Sequence, residues 1–252
     1  EPGPIAYTDE ELGAMREVRS YLIEEYGIEE SRIGLVFLAL ATINCKLRVE
    51  EAAKKVKKFL DIISDCGIPE GVDNDLWKEE SVHELRHYLP CGVDHNGSRI
   101  MWVASDSTCS VEEERNHALA GLMHFVAIHA DNTSLRNGFS LVIDLTDKPS
   151  KKVGNESKLQ KLYQAYPQRP QTILIAGTNT VTRLFVNAAI KIASIFTKQK
   201  VLDRIRFVTV EQAMQKFPKG SAPTKYGGGG GEITNIEQWT KMRLESFPVP
   251  VL

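Results

Sequence analysis

The sequence is poor in the features that mark secreted, membrane-spanning and nucleotide-dependent proteins. Its four cysteines, Cys45, Cys66, Cys91 and Cys109, form no C-x-x-C pair and have no regularly spaced histidines beside them. This excludes a disulfide framework and a cysteine-based zinc site, and suggests reduced thiols in a cytosolic protein. No basic-then-apolar leader opens the chain, and the longest apolar stretch, Ile33 to Ile43, is about half of the roughly 20 residues a bilayer span needs. A soluble protein is expected.

Signatures of catalysis are also missing. There is no G-x-x-x-x-G-K-[ST], no G-x-G-x-x-G after a first strand and no G-x-S-x-G elbow, so an α/β-hydrolase is a distant alternative. Gly227 to Gly231 are five consecutive glycines, read as a flexible turn and not as a phosphate cradle. The six histidines, His83, His87, His95, His117, His124 and His129, show neither H-E-x-x-H nor a triad spacing. Three of them, His117, His124 and His129, fall along one predicted helix and read as boundary or surface residues, not metal ligands. With no assembled nucleophile, base and oxyanion set, the chain reads as a non-enzyme without a cofactor or metal.

What is present is enough apolar material for a core: 252 residues, 42% of them hydrophobic. The net charge of −2 conceals a polarity along the chain. Up to Asp147 there are 14 Lys+Arg against 27 Asp+Glu, and beyond it 17 against 6. The second half is therefore suited to face something anionic, such as a membrane surface, a phosphorylated ligand or nucleic acid.

The first ninety residues read as helices. Thr8 with Glu11 is a capping box, an apolar face runs through Leu12, Met15, Val18, Leu22 and Tyr26, and Gly27 closes the helix. Ser31 is placed as the cap of a second, very apolar helix. A third carries Val49, Ala52, Ala53, Val56, Phe59, Leu60 and Ile63 on one face, and a fourth is expected over 74–89, stopped by Pro90. From Arg99 the period changes. Strands are expected at Ile100 to Ala104, Phe139 to Leu145, Thr172 to Ala176 and Ile205 to Val210, with helices at Val111 to His129, Asn155 to Tyr166 and Val181 to Thr197. Ser110 and Glu113 make a second capping box. This alternation predicts an α/β fold with a mostly parallel sheet and right-handed crossovers, preceded by a helical bundle. The boundaries are 1–89 for the helical region and 90–252 for the α/β domain.

The stretch Val181 to Thr197 is apolar over roughly 240° of its circumference, against about 100° for an ordinary surface helix. Only Arg183, Asn187, Lys191 and Ser194 form a polar stripe. Two readings stay open: a helix buried between layers, or a lid over an internal cavity whose other face meets a membrane. Lys198, Lys200, Arg204 and Arg206 follow at its foot and suit anionic headgroups. On the strand Phe139 to Leu145, Phe139, Leu141, Ile143 and Leu145 share one face, lining either core or cavity; Asp144 on the other face reads as a loop-satisfying carboxylate or as part of a polar site.

Five segments, taken in order, resemble the CRAL-TRIO lipid-binding family, which includes phosphatidylinositol-transfer proteins and carriers of retinaldehyde and tocopherol. Gly92 to Gly97 with Arg99-Ile100 is similar to the family's D-x-x-G-R-P-V turn, and Phe139 to Leu145 to its central strand. Tyr166-Pro167-Gln168-Arg169 resembles Y-P-E-R, Asp203-Arg204-Ile205 the K-I step, and Lys225-Tyr226-Gly227-Gly228 the terminal E-x-G-G. The resemblance implies a gate helix over 181–197, with Leu184, Phe185, Ile192, Ile195 and Phe196 as gate contacts, and a cavity wall of Phe139, Leu141 and Ile143. It implies a headgroup site of Arg169, Arg204 and Gln168, in which Gln168 and Arg204 stand where phosphoinositide binders have glutamate and lysine. The implied function is binding, and transfer between membranes, of a hydrophobic ligand such as a phospholipid or phosphoinositide. The implied partners are a lipid and an anionic membrane surface, with no nucleic acid, in a cytoplasmic protein that visits membranes and is one module of a larger protein. The alternatives are a non-catalytic regulatory module that binds anionic membranes or a partner protein, and a carrier of small retinoid- or tocopherol-like lipids.

Overall fold

The computed structural model describes residues 3–65, 79–104, 111–146, 166–177 and 199–252. The chain begins with α1 (Asp9–Tyr26), α2 (Leu35–Asn44) and α3 (Val49–Asp65). A short α4 (Glu79–Val82) and a 3₁₀ turn (His83–His87) lead into β1 (Tyr88–Leu89). Then come β2 (Ile100–Ala104), α5 (Val111–Ile128), α6 (Asn132–Asn137), β3 (Phe139–Asp144) and β4 (Pro170–Gly177). The chain ends with α7 (Gln199–Leu202), β5 (Ile205–Thr209), α8 (Val210–Gln215) and α9 (Ile236–Glu245).

The local rules that shape α1 hold. The Glu11 amide donates to Thr8 Oγ1 and the Thr8 amide to Glu11 Oε2, so two otherwise orphaned donors are satisfied. Gly27 closes the helix at φ 61°, a left-handed conformation that suits glycine. The expectation for Ser31 fails. It lies in a 3₁₀ turn, Glu30–Arg32, and α2 starts after Gly34 with no side-chain cap. The first helical bond of α2 runs from Leu38 N to Gly34 O at 2.9 Å. The helix expected up to residue 89 ends earlier, because Tyr88 and Leu89 pair antiparallel with Val103 and Trp102. The predicted strands form, but Val210 begins α8, held by a second capping box between Thr209 and Gln212.

The sheet runs β1-β2-β3-β4-β5, antiparallel only between β1 and β2 and parallel elsewhere. Alternation along the strands separates two apolar layers. Phe139, Leu141, Ile173 and Ile175 face α5, and through it the N-terminal helices, in one continuous core. Ile100, Trp102, Val142, Leu174 and Ala176 face α8 and Phe217. An aromatic stack joins the helical region to the sheet region: Phe37 on Phe59 with centroids 3.6 Å apart, Tyr166 against both, and Phe125 at 5.2 Å from Tyr166. Polar ties reinforce it. Arg136 donates from Nε and Nη2 to the two oxygens of Glu11, and Arg243 donates to Asp131, whose other oxygen caps α6. Among the described residues no helix is long and apolar enough to cross a membrane.

Candidate functional site

The turn before β2 is built by Asp94. Its Oδ1 accepts the amides of Asn96 and Ser98, and its Oδ2 accepts the hydroxyl of Ser140 on β3. Gly97, at φ 78°, completes the turn. The segment that resembles a family motif therefore ties the edge of β2 to the central strand.

Asp144 ends β3 as an almost fully buried carboxylate with four donors. Oδ2 accepts Trp102 Nε1 at 3.0 Å and Tyr226 OH at 2.6 Å, and Oδ1 accepts the Thr146 amide and hydroxyl. Burial pushes its pKa up, but the hydrogen bonds from Thr146, Tyr226 and Trp102 outweigh this and hold it below the ordinary aspartate value. Of the two readings open in the sequence, this geometry fits the loop-satisfying one: Asp144 latches the segment around Tyr226 to the sheet. Replacing Tyr226 by Phe leaves an acceptor of a buried carboxylate unmatched, so a loss of about 1–3 kcal/mol is expected in urea unfolding.

The glycines after Tyr226 are not a flexible turn, which corrects the reading from composition. Gly228, Gly229, Gly230 and Gly231 donate their amides to the carbonyls of Pro223, Lys219, Ala222 and Gly220. A Cβ on Gly231 would lie 2.5 Å from Gly92 Cα, and Gly231 itself sits at φ 64°. Glycine is used here because two backbone segments touch, not because the loop must move.

The histidines of α5 are a second correction. His124 and His129, expected at a boundary or the surface, are buried. His124 packs against Tyr88 and Trp239, and His129 Nδ1 donates to Phe125 O at 2.7 Å. Burial pushes their pKa values down, to about 3 and about 4. His117 lies beside Glu84 and His87. These groupings join residues far apart in sequence, such as His124 and Thr240, and spacing alone gives no sign of them.

Arg169 and Arg204 each bond to a backbone carbonyl near the start of β4. Arg204 Nη1 donates to Pro170 O at 2.6 Å, and Arg169, the residue before that proline, donates from Nη1 to Arg136 O at 2.5 Å. Gln168 precedes them, partly buried like both arginines. On β3, exposure rises along the proposed wall. Phe139 is packed against Phe125 and His129, Leu141 is buried, and Ile143 is only partly covered. Residues 178–198, with the gate positions Leu184, Phe185, Ile192, Ile195 and Phe196, lie outside the described residues, as do 105–110 and 147–165.

A search of curated proteins finds no match to this chain. Among solved structures, the chain is similar to the one titled "Crystal structure of Sfh5", at 12% identity, over 96% of this chain and 98% of that one, with a TM-score of 0.46. The family model of the CRAL/TRIO domain matches residues 84–228, more than half of the chain and the span that holds the Asp94 turn, the Asp144 latch and both arginines. The chain belongs to the CRAL/TRIO family of lipid-binding domains.

Proposed function

We propose that this chain is a non-catalytic carrier that takes up a hydrophobic ligand with an anionic head, a phospholipid or phosphoinositide, and exchanges it at membranes. The observation that supports this reading is that Arg204 is held on the carbonyl of Pro170, the residue that follows Arg169, while Arg169 is itself held on the carbonyl of Arg136. A guanidinium has five N–H donors, and the bond each arginine makes to a backbone carbonyl orients it while leaving others for a phosphate, which arginine binds bidentately. Gln168 adds an uncharged donor and acceptor beside them. The apolar part of the ligand would lie beyond the packed Phe139, along Leu141 and Ile143, under a gate formed by Leu184, Phe185, Ile192, Ile195 and Phe196. Burial at about 25 cal/mol per Å² supplies the affinity of the acyl part.

The test is capture from liposomes that contain phosphatidylinositol or phosphatidylcholine, read by native mass spectrometry. The double variant Arg169→Gln, Arg204→Gln is expected to lose at least about tenfold in capture of the anionic lipid, because charge-assisted bonds contribute about 1.5–3 kcal/mol each. Uptake of an uncharged lipid such as tocopherol should be little changed. Equal loss for both ligands, or none, would remove the arginines from the site.

A second reading, a regulatory module on anionic membranes, draws on the edge strand β5. Phe207 there is 51% exposed and adjoins Arg206 on the strand that ends the sheet among the described residues. An exposed aromatic beside an arginine suits a headgroup layer. Cosedimentation with anionic vesicles that weakens steeply with salt, without lipid exchange, would favour this reading over transfer.

A further inference from the structure

The 3₁₀ turn His83–His87 packs against α5. With three residues per turn, side chains at i and i+3 stack on one side. Glu84 and His87 accordingly point the same way, toward His117 on α5. The Glu84 and His87 side chains are 5% and 7% exposed, and His117 is 28% exposed. Glu84 Oε2 lies 3.1 Å from His87 Nε2 and 3.8 Å from His117 Nδ1, and the three ligand atoms all lie within 4.8 Å of one another.

His87 Nε2 is also 3.3 Å from Arg86 Nε, which donates to it. One ring nitrogen cannot accept from the arginine and donate to Glu84 at the same time. Two states therefore compete: Nε2–H donating to the carboxylate, or a bare Nε2 whose lone pair is available to a cation. A buried carboxylate oxygen facing two imidazole nitrogens is the donor set that binds zinc and similar ions with a coordination position left over. Metal–ligand bonds of about 2.0–2.2 Å place tetrahedral donors roughly 3.3 Å apart, so both distances to Glu84 are within small side-chain adjustments of that geometry.

We propose that Glu84, His87 and His117 form a binding site for a divalent transition-metal ion of the zinc type, bridging the turn before β1 to α5. The remaining coordination position opens on the side of the partly exposed His117. Arg86 is the site's built-in competitor. Its Nη2 is 3.7 Å from Glu84 Oε1, its Nη1 contacts His83 Nε2, and its side chain is 51% exposed, so it can leave when a dication arrives. By mass action, an ion that binds only the folded chain stabilises this junction.

The experiment is titration of the chelator-treated full chain with Zn(II) by calorimetry and with Co(II) by visible absorption, near neutral pH. One equivalent is expected to bind with a Kd below about 10 μM, giving the d–d bands of nitrogen and oxygen ligation. His87→Ala and His117→Ala should each weaken it at least about tenfold, and Arg86→Gln should tighten it several-fold. In the wild-type chain, nitrogen NMR of the histidine rings should show two metal-shifted imidazoles, a readout that does not depend on whether the variants fold. The proposal is overturned if no saturable equivalent binds, if affinity survives the double histidine variant, or if the shifted rings are other histidines.

Discussion

Lowering the pH from 7.5 to 5 is expected to cost this protein about 4 kcal/mol of folding stability, roughly 2 from each of two buried histidines. His124 and His129 have their pKa values pushed down by burial, from an ordinary 6.5 to about 3 and about 4. In the unfolded chain both imidazoles protonate as the pH falls through 6.5; in the folded chain they stay neutral until far lower. The unfolded state thus binds more protons over this window, and stability must rise with pH. The contribution is complete above the unfolded value and is lost progressively below it. The loss is large beside the 5–15 kcal/mol typical of a domain. Urea unfolding between pH 5 and 8 measures it directly. His124→Phe, which keeps the ring contacts with Tyr88 and Trp239, should remove about half of the slope. A flat profile, or one unchanged in that variant, would show that the histidines are not held neutral by burial.

The second large effect is expected at Gly138, between α6 and β3. Its backbone lies at φ 89°, ψ −158°, a region open essentially to glycine alone. A Cβ there would also sit 1.9 Å from the carbonyl oxygen of Arg169. Side-chain rotation cannot relieve a collision with backbone, so Gly138→Ala should cost at least about 3–4 kcal/mol. The same contact brings the strand bearing the proposed wall against the residue bearing the proposed headgroup charge. The variant should therefore lose ligand capture along with stability, even under conditions where it remains folded. A midpoint of urea unfolding within experimental error of the wild type would refute the contact.

The elements most legible in the sequence are those built by local rules. Thr8, Glu11 and Gly27 bound α1 because caps depend on residues within one turn. The parallel sheet follows from short β-rich runs separated by long crossovers. The failures fall where neighbouring turns or distant partners override a local signal. Ser31 looked like a cap, but the chain spends it on a 3₁₀ turn. Tyr88 and Leu89 continue a helical apolar period, and only pairing with β2 makes them a strand. Asn235 caps α9, its side chain accepting the Gln238 amide, by the same one-turn rule. The five glycines read as loose because composition does not show that their amides fold back onto the carbonyls of residues 219–224 or that Gly231 meets the distant Gly92.

The candidate site was legible only as motifs. The Y-P-Q-R and D-R-I segments give Arg169 and Arg204, but nothing local says that the Arg204 guanidinium binds the carbonyl of Pro170, the residue after Arg169. Trp102, Asp144 and Tyr226 are separated by 42 and 82 residues, so their shared carboxylate is a property of the fold alone.

The central claim is that the chain carries a lipid, and the most direct measurement is the ligand content of the purified protein. Gentle purification, native mass spectrometry and lipid extraction should recover close to one hydrophobic molecule per chain. Incubation with labelled donor and unlabelled acceptor liposomes should then exchange it. Protein that emerges empty, takes up no lipid from either kind of vesicle and moves none between them would contradict the account.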